Sequence, residues 1–293
     1  MTEGKPSLGA HLFVALQHLL PQHRLSQLMY RLARLEWRPF RRLATGAFIR
    51  LTGIRMDEAA EPDPRAYPHL AALFTRALRP GARPLDPDPR AIVSPVDGTL
   101  SQIGPIADGR IVQAKGHDYS VRDLLGERGD LHRLFEGGGF ATVYLSPKDY
   151  HRIHMPVSGD LIETRHLGGR LFSVNAVTAA LVPDLFARNE RVVTLFGTEA
   201  GPMALVLVGA IFVGGIETVW QGEIAPAPSA AACRRWPDQR VRLGRGEEMG
   251  RFNLGSTVVL LFPAGTMAWE AGLQPGDQVR MGQRIGTLLG TAG

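Results

Sequence analysis

The sequence predicts a mixed α+β protein in which a helical N-terminal segment precedes a β-rich body. Two observations lead to this fold class. In residues 1–56 apolar side chains recur at helical spacing, whereas from residue 91 short apolar runs are bounded by Gly, Pro and Asp. With 293 residues, 44% of them hydrophobic and 21% charged, the chain is long enough to bury a full core. We therefore expect docking helices in residues 1–56 and one β-rich domain over residues 57–293.

The N-terminal segment contains three stretches with helical apolar spacing, residues 12–20, 25–35 and 40–54. Residues 1–56 hold nine Lys/Arg and two Asp/Glu, while the remainder holds 24 basic and 26 acidic side chains. Leucine stripes edged by arginine are typical of helices that lie in the interface of an anionic membrane. Packing of these stripes on the body or on a partner subunit remains the alternative. Few nucleic-acid-binding arms are so rich in leucine, so no nucleic acid is expected.

The body is predicted to consist of short strands with two helices. Residues 57–90 are rich in proline and acidic side chains and are expected to form a connecting region. Two segments, 94–100 and 273–286, have the turn chemistry of lipoyl- and permease-type domains, which predicts a sandwich or barrel-like core. The helices are expected at 121–125 and 177–189, and the strands at 91–93, 141–145, 192–196, 203–213 and 257–262.

Composition excludes several classes of protein. The single cysteine, Cys233, cannot form an intramolecular disulfide and fits a reducing compartment. No apolar run approaches the roughly 20 residues that span a bilayer. The first residues lack the pattern of a secretory signal peptide. We therefore expect an intracellular protein that binds a membrane only at its surface.

A Gly-Ser step, Gly255-Ser256, leads directly into the apolar run 258–262. Such pairs commonly form tight turns at the entry of a strand. The alternative is chemical, because a strand that fixes the serine holds its hydroxyl beside the preceding peptide carbonyl. The sequence is no nucleophile elbow, which requires Gly-x-Ser-x-Gly.

Two further constellations could carry chemistry. Asp97 lies in a Pro-Val-Asp-Gly turn, where a carboxylate often caps its own backbone. His151 and His154 lie between Pro147 and Pro156, which favours a rigid loop. Histidine suits proton transfer near neutral pH, although purely structural histidines remain an alternative. A metal site needs further ligands, and no recognisable ligand spacing accompanies these residues, so no metal is expected.

In their order and spacing these motifs resemble the phosphatidylserine decarboxylase family. The resemblance covers residues from about 66 to 290 and departs from the family at Ala176, where proline is usual, and at Ser158. It also includes the N-terminal helices, with weaker specificity. The motifs that carry it are Ser-Pro-Val-Asp-Gly around Asp97, Tyr-His-Arg-Ile-His-Met-Pro at 150–156, Glu-Met-Gly-Arg-Phe at 248–252 and Leu-Gly-Ser-Thr at 254–257.

The resemblance implies that the chain cuts itself. Ser256 would attack the carbonyl of Gly255, with His154 as the base and Asp97 as the residue that orients it. The products would be a β chain, residues 1–255, and an α chain, residues 256–293. Ser256 would become a covalent pyruvoyl group, which is the cofactor.

The resemblance also implies the second reaction. The pyruvoyl group would form a Schiff base with phosphatidylserine and release carbon dioxide and phosphatidylethanolamine, with His151 moving protons. Implied partners are an anionic membrane on its cytoplasmic face, the chain's own β and α fragments, and a second copy in a homodimer. Two rival functions remain open. One is a serine hydrolase that uses Ser256, His154 and Asp97, and the other is a lipoyl-like binding module.

Overall fold

The protein has the mixed α+β architecture expected from its sequence, with N-terminal helices followed by several antiparallel sheets. The computed structural model describes residues 7–114, 116–126, 130–212, 215–224, 231–236, 241–253 and 256–290. The helices are Leu8–Leu19 (α1), Gln22–Ala33 (α2), Arg38–Thr52 (α3), Leu70–Phe74 (α4), Val121–Leu125 (α5), Ala176–Leu181 (α6) and Leu185–Arg188 (α7).

The first three helices form an arm whose polar face is turned to the body. The side chains of Gln17, Gln22 and Ser26 are buried and accept hydrogen bonds from body backbone N–H groups at distances of 2.7–3.0 Å. Most of the leucines face outward instead, whereas Val14 and Phe48 pack on the body. The exposed leucines of the arm are Leu8, Leu12, Leu16, Leu19, Leu28, Leu32, Leu35, Leu43 and Leu51.

One large antiparallel sheet forms the centre of the body. Its strand order is β12-β7-β8-β9-β15-β5-β2-β17, with β13 added beside β7, so the described strands form an open sheet. The expected barrel-like closure is therefore not observed among them. The strands are Gly98–Pro105 (β2), Gly139–Leu145 (β5), Gly159–Leu167 (β7), Arg191–Thr198 (β8), Gly201–Val208 (β9), Ala231–Arg235 (β12), Arg242–Leu243 (β13), Ser256–Phe262 (β15) and Gln278–Val279 (β17).

Three smaller sheets flank the central one. Their orders are β1-β18-β16, β11-β10-β14-β6 and β3-β4. The second of them contains β14, which precedes β15 in the chain, and β6, which ends at His154. The strands are Ala91–Val93 (β1), Arg110–Ala114 (β3), His117–Ser120 (β4), Arg152–His154 (β6), Ile216–Thr218 (β10), Gly222–Ile224 (β11), Glu248–Phe252 (β14), Met267–Trp269 (β16) and Arg284–Leu288 (β18).

The strand β15 lies in the middle of the core. All seven of its residues are buried, and it pairs with β5 on one side and β9 on the other. Because side chains alternate along a strand, Val258, Leu260 and Phe262 enter one apolar cluster while Val259 and Leu261 enter the other. The central sheet is thus covered on both faces.

The predicted helix at 121–125 is confirmed, but the one at 177–189 is wrong as a single element. It consists of α6 and α7, separated by Pro183. Proline has no N–H to donate and its ring clashes with the preceding turn, so the helix cannot continue through it. Residues 231–235 form β12 at the sheet edge.

Candidate active site

Ser256 is the first residue of the central strand β15 and lies opposite Leu145 of β5. It is fully buried, and its Oγ has no hydrogen-bond partner among the described residues. A buried hydroxyl without a partner costs about 1–3 kcal/mol, so its presence needs an explanation. Gly255, the expected cleavage residue, lies outside the described residues. An unpaired Oγ at this strand entry fits a serine that serves as the precursor of a pyruvoyl group.

His151 lies in the loop that follows β5, and its backbone carbonyl accepts a hydrogen bond from Phe252 N at 3.0 Å. Its Nδ1 is 2.9 Å from the carbonyl oxygen of Asp149 and must donate, since a carbonyl only accepts. Its Nε2 is buried without a partner in the described part of the chain. Burial lowers the pKa of His151 to about 3, so the ring is neutral at physiological pH. His151 therefore presents an open acceptor nitrogen.

The ring of His151 is held in place by the aromatic ring of Phe74 in α4, at a centroid distance of 4.0 Å. Phe74 is fully buried. The connecting region thus supplies a wall of the site. An apolar residue in a short helix gives no sequence signal for such a role.

His154 ends β6 and is held on both of its nitrogens. Its Nδ1 donates to the carbonyl of Gly246 at 2.8 Å, and its Nε2 lies 3.0 Å from the hydroxyl of Tyr150. Burial raises the pKa of Tyr150 to about 12, so the hydroxyl keeps its proton and donates it to Nε2. Burial also lowers the pKa of His154, which favours its neutral form.

Asp97 is buried beside this pair but makes its hydrogen bonds elsewhere. Its carboxylate accepts from both Nε and Nη2 of Arg83, with Nε 2.9 Å from Oδ1, and from Met281 N at 2.9 Å. The direct hydrogen bond to His154 that the family resemblance suggests is absent among the described residues. Tyr150 and Gly246 occupy the two nitrogens of His154 instead.

Arg83 is the site residue that sequence reasoning missed. Its guanidinium also bonds Glu58 at 2.7 Å, which places it between two buried carboxylates. Burial would raise the pKa of Glu58, but the hydrogen bond and charge of Arg83 outweigh burial and lower it. Arg83 comes from a proline-rich loop without periodicity, so only its position in space identifies it.

Two cavities border the loop that carries His151. A polar cavity of about 310 Å³ is lined by Asp97, Tyr150 and Lys148, among others. An apolar cavity of about 480 Å³ lies between the arm and the body. Its lining includes Phe74, which packs on His151, and Tyr144, which pairs with Thr257 next to Ser256.

The structure brings the predicted residues to one region by backbone connections. Ser256 follows β14, which pairs with the β6 strand of His154. Its side chain alternates with that of Thr257, so it lies on the same sheet face as Val258, whose apolar cluster also contains Ile153 and Phe252. Among the residues that the structure describes, no group of three or more His, Cys, Asp or Glu could hold a metal ion.

Comparison with known proteins places this arrangement in a family. The family model described as phosphatidylserine decarboxylase matches residues 70–287, and a second model, described as PSD, matches residues 12–53. Similar proteins named phosphatidylserine decarboxylase proenzyme occur in several bacteria. That of Azotobacter vinelandii is 53% identical over 280 residues, covering 94% of this chain and 97% of the relative. Those of Pseudomonas fluorescens and Shewanella baltica are both 52% identical, covering 95% and 94% of this chain and 98% and 96% of the relatives.

The family model matches most of the chain, and these relatives are 52–53% identical to it along nearly their full length. The buried serine and the two buried histidines agree with this match. The chain belongs to the phosphatidylserine decarboxylase family.

Proposed function

We propose that the chain cuts its backbone between Gly255 and Ser256 and then decarboxylates phosphatidylserine with the pyruvoyl group that Ser256 becomes. The observation that carries this proposal is the buried Ser256 Oγ without a hydrogen-bond partner in the described structure. Family membership supplies the reaction class. A phosphatidylserine decarboxylase proenzyme is the precursor of a carboxy-lyase, and it gives an α and a β chain and a covalent pyruvoyl group.

Self-cleavage begins with an acyl shift at Ser256. Oγ forms a bond to the carbonyl carbon of Gly255, the peptide C–N bond breaks, and the hydroxyl proton passes through a base to the freed amine. His154 is the proposed base, and Asp97 supports it by its negative charge, which acts to raise the pKa of that histidine. To accept the serine proton, His154 Nε2 has to give up the hydroxyl of Tyr150.

His151 is the proposed proton carrier of the second reaction. Its neutral ring and open Nε2 can accept a proton from the substrate amine and return one to carbon. Once formed, the pyruvoyl group supplies the electron sink for loss of carbon dioxide. The packing of Phe74 on the ring keeps Nε2 in one orientation.

The two cavities suit the two parts of the substrate. Lys148 and Arg280 line the polar cavity and match the phosphate and carboxylate of the headgroup. The apolar cavity, which is lined by Phe74 next to His151 and by Tyr144 next to β15, suits an acyl chain near the glycerol. A lipid that enters from the arm therefore reaches the histidine loop.

The arm is proposed to dock peripherally on the cytoplasmic face of an anionic membrane. Its outward leucines and basic charge support this, because a helix that only packed on the body would turn its leucines inward. Among the described residues, no helix is long and apolar enough to span a bilayer. The division at residue 56 and the homodimer implied by the family resemblance stay predictions.

We propose that the region where segments 94–100 and 273–286 meet resembles lipoyl- and permease-type domains. Segment 94–100 and segment 273–286 lie side by side, since β2 pairs with β17, and β1, which directly precedes the first segment, pairs with β18. Ser94 and the turn at Gly282 and Gln283 exchange backbone hydrogen bonds of 2.7 and 3.0 Å.

Intact mass measurement of the purified protein tests the self-cleavage. We expect two fragments that separate at Gly255/Ser256, the smaller one blocked to N-terminal sequencing, together with release of carbon dioxide from phosphatidylserine vesicles. The Ser256→Ala variant is the control and should remain one chain without decarboxylase activity. A wild-type chain that stays whole while labelled by a fluorophosphonate would instead identify a serine hydrolase, and a whole, unlabelled chain a binding module.

A further inference from the structure

The carboxylate of Glu223 in β11 connects the arm to the segment that precedes the cleavage site. The hydroxyl of Tyr30 donates to Oε2 at 3.0 Å, and Arg34 Nη2 donates to Oε1 at 2.9 Å. Tyr30 lies in α2 and Arg34 caps the C-terminus of that helix, and the guanidinium of Arg34 stacks 3.6 Å from the centre of the Tyr30 ring. The third donor is Asn253 Nδ2, which reaches Oε1 at 3.0 Å. One side chain thus receives hydrogen bonds from elements more than 200 residues apart.

Asn253 is the last described residue before the scissile bond. It is 5% exposed, and its backbone N–H donates to the carbonyl of Gly215 at 3.1 Å. On the other side of the bond, Ser256 is fixed in β15 opposite Leu145. Only two residues, 254 and 255, separate the two anchors, and the peptide bond to be cut lies at the end of this short span. Asn253, the first anchor, is held by its backbone N–H and by its side chain, and the side-chain hydrogen bond depends on Glu223.

From this arrangement we infer that Glu223 is a positioning residue for self-cleavage, which couples the docking helix α2 to the segment before the Gly255–Ser256 bond. The inference rests on the proposed self-cleavage at that bond. Glu223 touches no reacting atom, and it acts through Asn253.

The expected effect follows from geometry. An attacking oxygen has to approach its carbonyl carbon to about 3–3.5 Å, and a small misplacement reduces the rate strongly. Without the carboxylate, the Asn253 amide loses its acceptor and α2 loses its link to this segment. The side chains of Arg34 and Glu223 are 26% and 32% exposed, so salt partly screens the contact. We expect cleavage of Glu223→Ala to be slowed about tenfold at low salt, and less at high salt.

Cleavage is followed by the time course of fragment formation after cell-free synthesis of the full-length chain. The matched control is Glu217→Ala. Glu217 is the cross-strand partner of Glu223 and has the same 32% side-chain exposure, but it pairs with Arg251. We expect Glu217→Ala to cleave at the wild-type rate. Glu223→Gln, which keeps an acceptor for Asn253 but loses the charge that binds Arg34, should lie between the two.

A second comparison separates coupling from a general loss of stability. Arg34→Ala should slow cleavage in the wild-type background but have no further effect in the Glu223→Ala background, because the link is already broken. Two independent structural defects would each slow cleavage by their own factor, and in the double variant the two factors would multiply. That outcome, or a Glu223→Ala variant that cleaves as fast as wild type, would overturn the inference about Glu223. Failure of the self-cleavage proposal looks different, since the wild-type chain would then not split at all.

Discussion

At the scale of single residues, burial decides which atoms of the site hold protons. His151 and His154 each donate through Nδ1 to a backbone carbonyl, which leaves Nε2 of both rings as an acceptor. Tyr150 satisfies one of these acceptors, and the other is open. Because burial lowers the pKa of both histidines, the site contains neutral bases before any substrate arrives. A protonated ring would have no lone pair with which to start either reaction.

The buried neutral His151 predicts a specific pH dependence of stability. Its pKa is about 3 in the folded chain, against 6.5 for an ordinary histidine, so the unfolded chain binds a proton that the folded chain does not. The stability loss begins as pH falls below about 6.5 and grows by about 1.4 kcal/mol per pH unit until the folded pKa is reached. Replacing the ring by an apolar side chain removes this contribution.

Urea unfolding between pH 6.5 and 4.5 measures the effect, with Ser256→Ala as the common background so that the chain stays whole. We expect His151→Leu to reduce the slope of the unfolding free energy against pH by about one proton. His11→Leu, at an exposed position of α1, controls for the loss of an imidazole. Equal slopes in the His151→Leu variant and its parent would show that His151 is not buried as a neutral ring.

Sequence reasoning reached the residues that are proposed to carry the chemistry but only part of the surroundings that hold them. The motifs contain residue types that are suited to proton transfer or nucleophilic attack, namely Asp97, His151, His154 and Ser256. Arg83, Phe74 and Glu223 have no such signal, because their importance depends on partners far away in the sequence. The missing hydrogen bond between Asp97 and His154 has the same cause, since Tyr150 and Gly246 compete for the ring in space.

At the scale of elements, the arm reverses the usual arrangement of an amphipathic helix on a globular body. Buried Gln17, Gln22 and Ser26 attach it through hydrogen bonds, and leucines form its outer surface. The helical periodicity of the sequence predicted the helices, but it could not tell which face meets the body. Tyr30 and Arg34 contact Glu223 of the body.

The outward leucines predict that membrane binding and self-cleavage are separable. Leu28, Leu32 and Leu35 of the second helical stretch are 54%, 38% and 40% exposed. Replacing all three by glutamate places charges in the proposed membrane interface, where each costs up to a few kcal/mol. We expect loss of binding to anionic vesicles in a flotation assay, while the two fragments still form.

A matched control places glutamates at equally exposed apolar positions of the body. Leu134, Ile162 and Val219 are 47%, 45% and 50% exposed, and none lies on the arm. The corresponding triple variant should still float with the vesicles. If the variant at Leu28, Leu32 and Leu35 floated as well, the arm would be only a packing element.

At the scale of the whole molecule, the proposed cut falls at the edge of the most deeply buried strand. The α chain would begin with β15, which shares seven residue pairs with β5 and five with β9. It would also contain β17 and β18, which pair with β2 and β1. The sequence indicated an apolar strand at 257–262 but not its central place, which depends on pairing with residues distant in the chain.

We therefore expect the two fragments to remain one particle after cleavage. Removing the α chain would strip the middle strand from the central sheet and expose both apolar clusters, which costs far more than a folded domain's stability of about 5–15 kcal/mol. Native mass spectrometry should give one mass close to that of the uncut Ser256→Ala chain, while denaturing gels resolve two fragments. The α chain should appear free only at urea concentrations that unfold the body. Release of the α chain under native conditions would contradict the central position of β15. Refolding from urea should also be far less efficient for the cut protein than for Ser256→Ala, because in the cut protein the middle strand belongs to a separate chain and has to find its sheet.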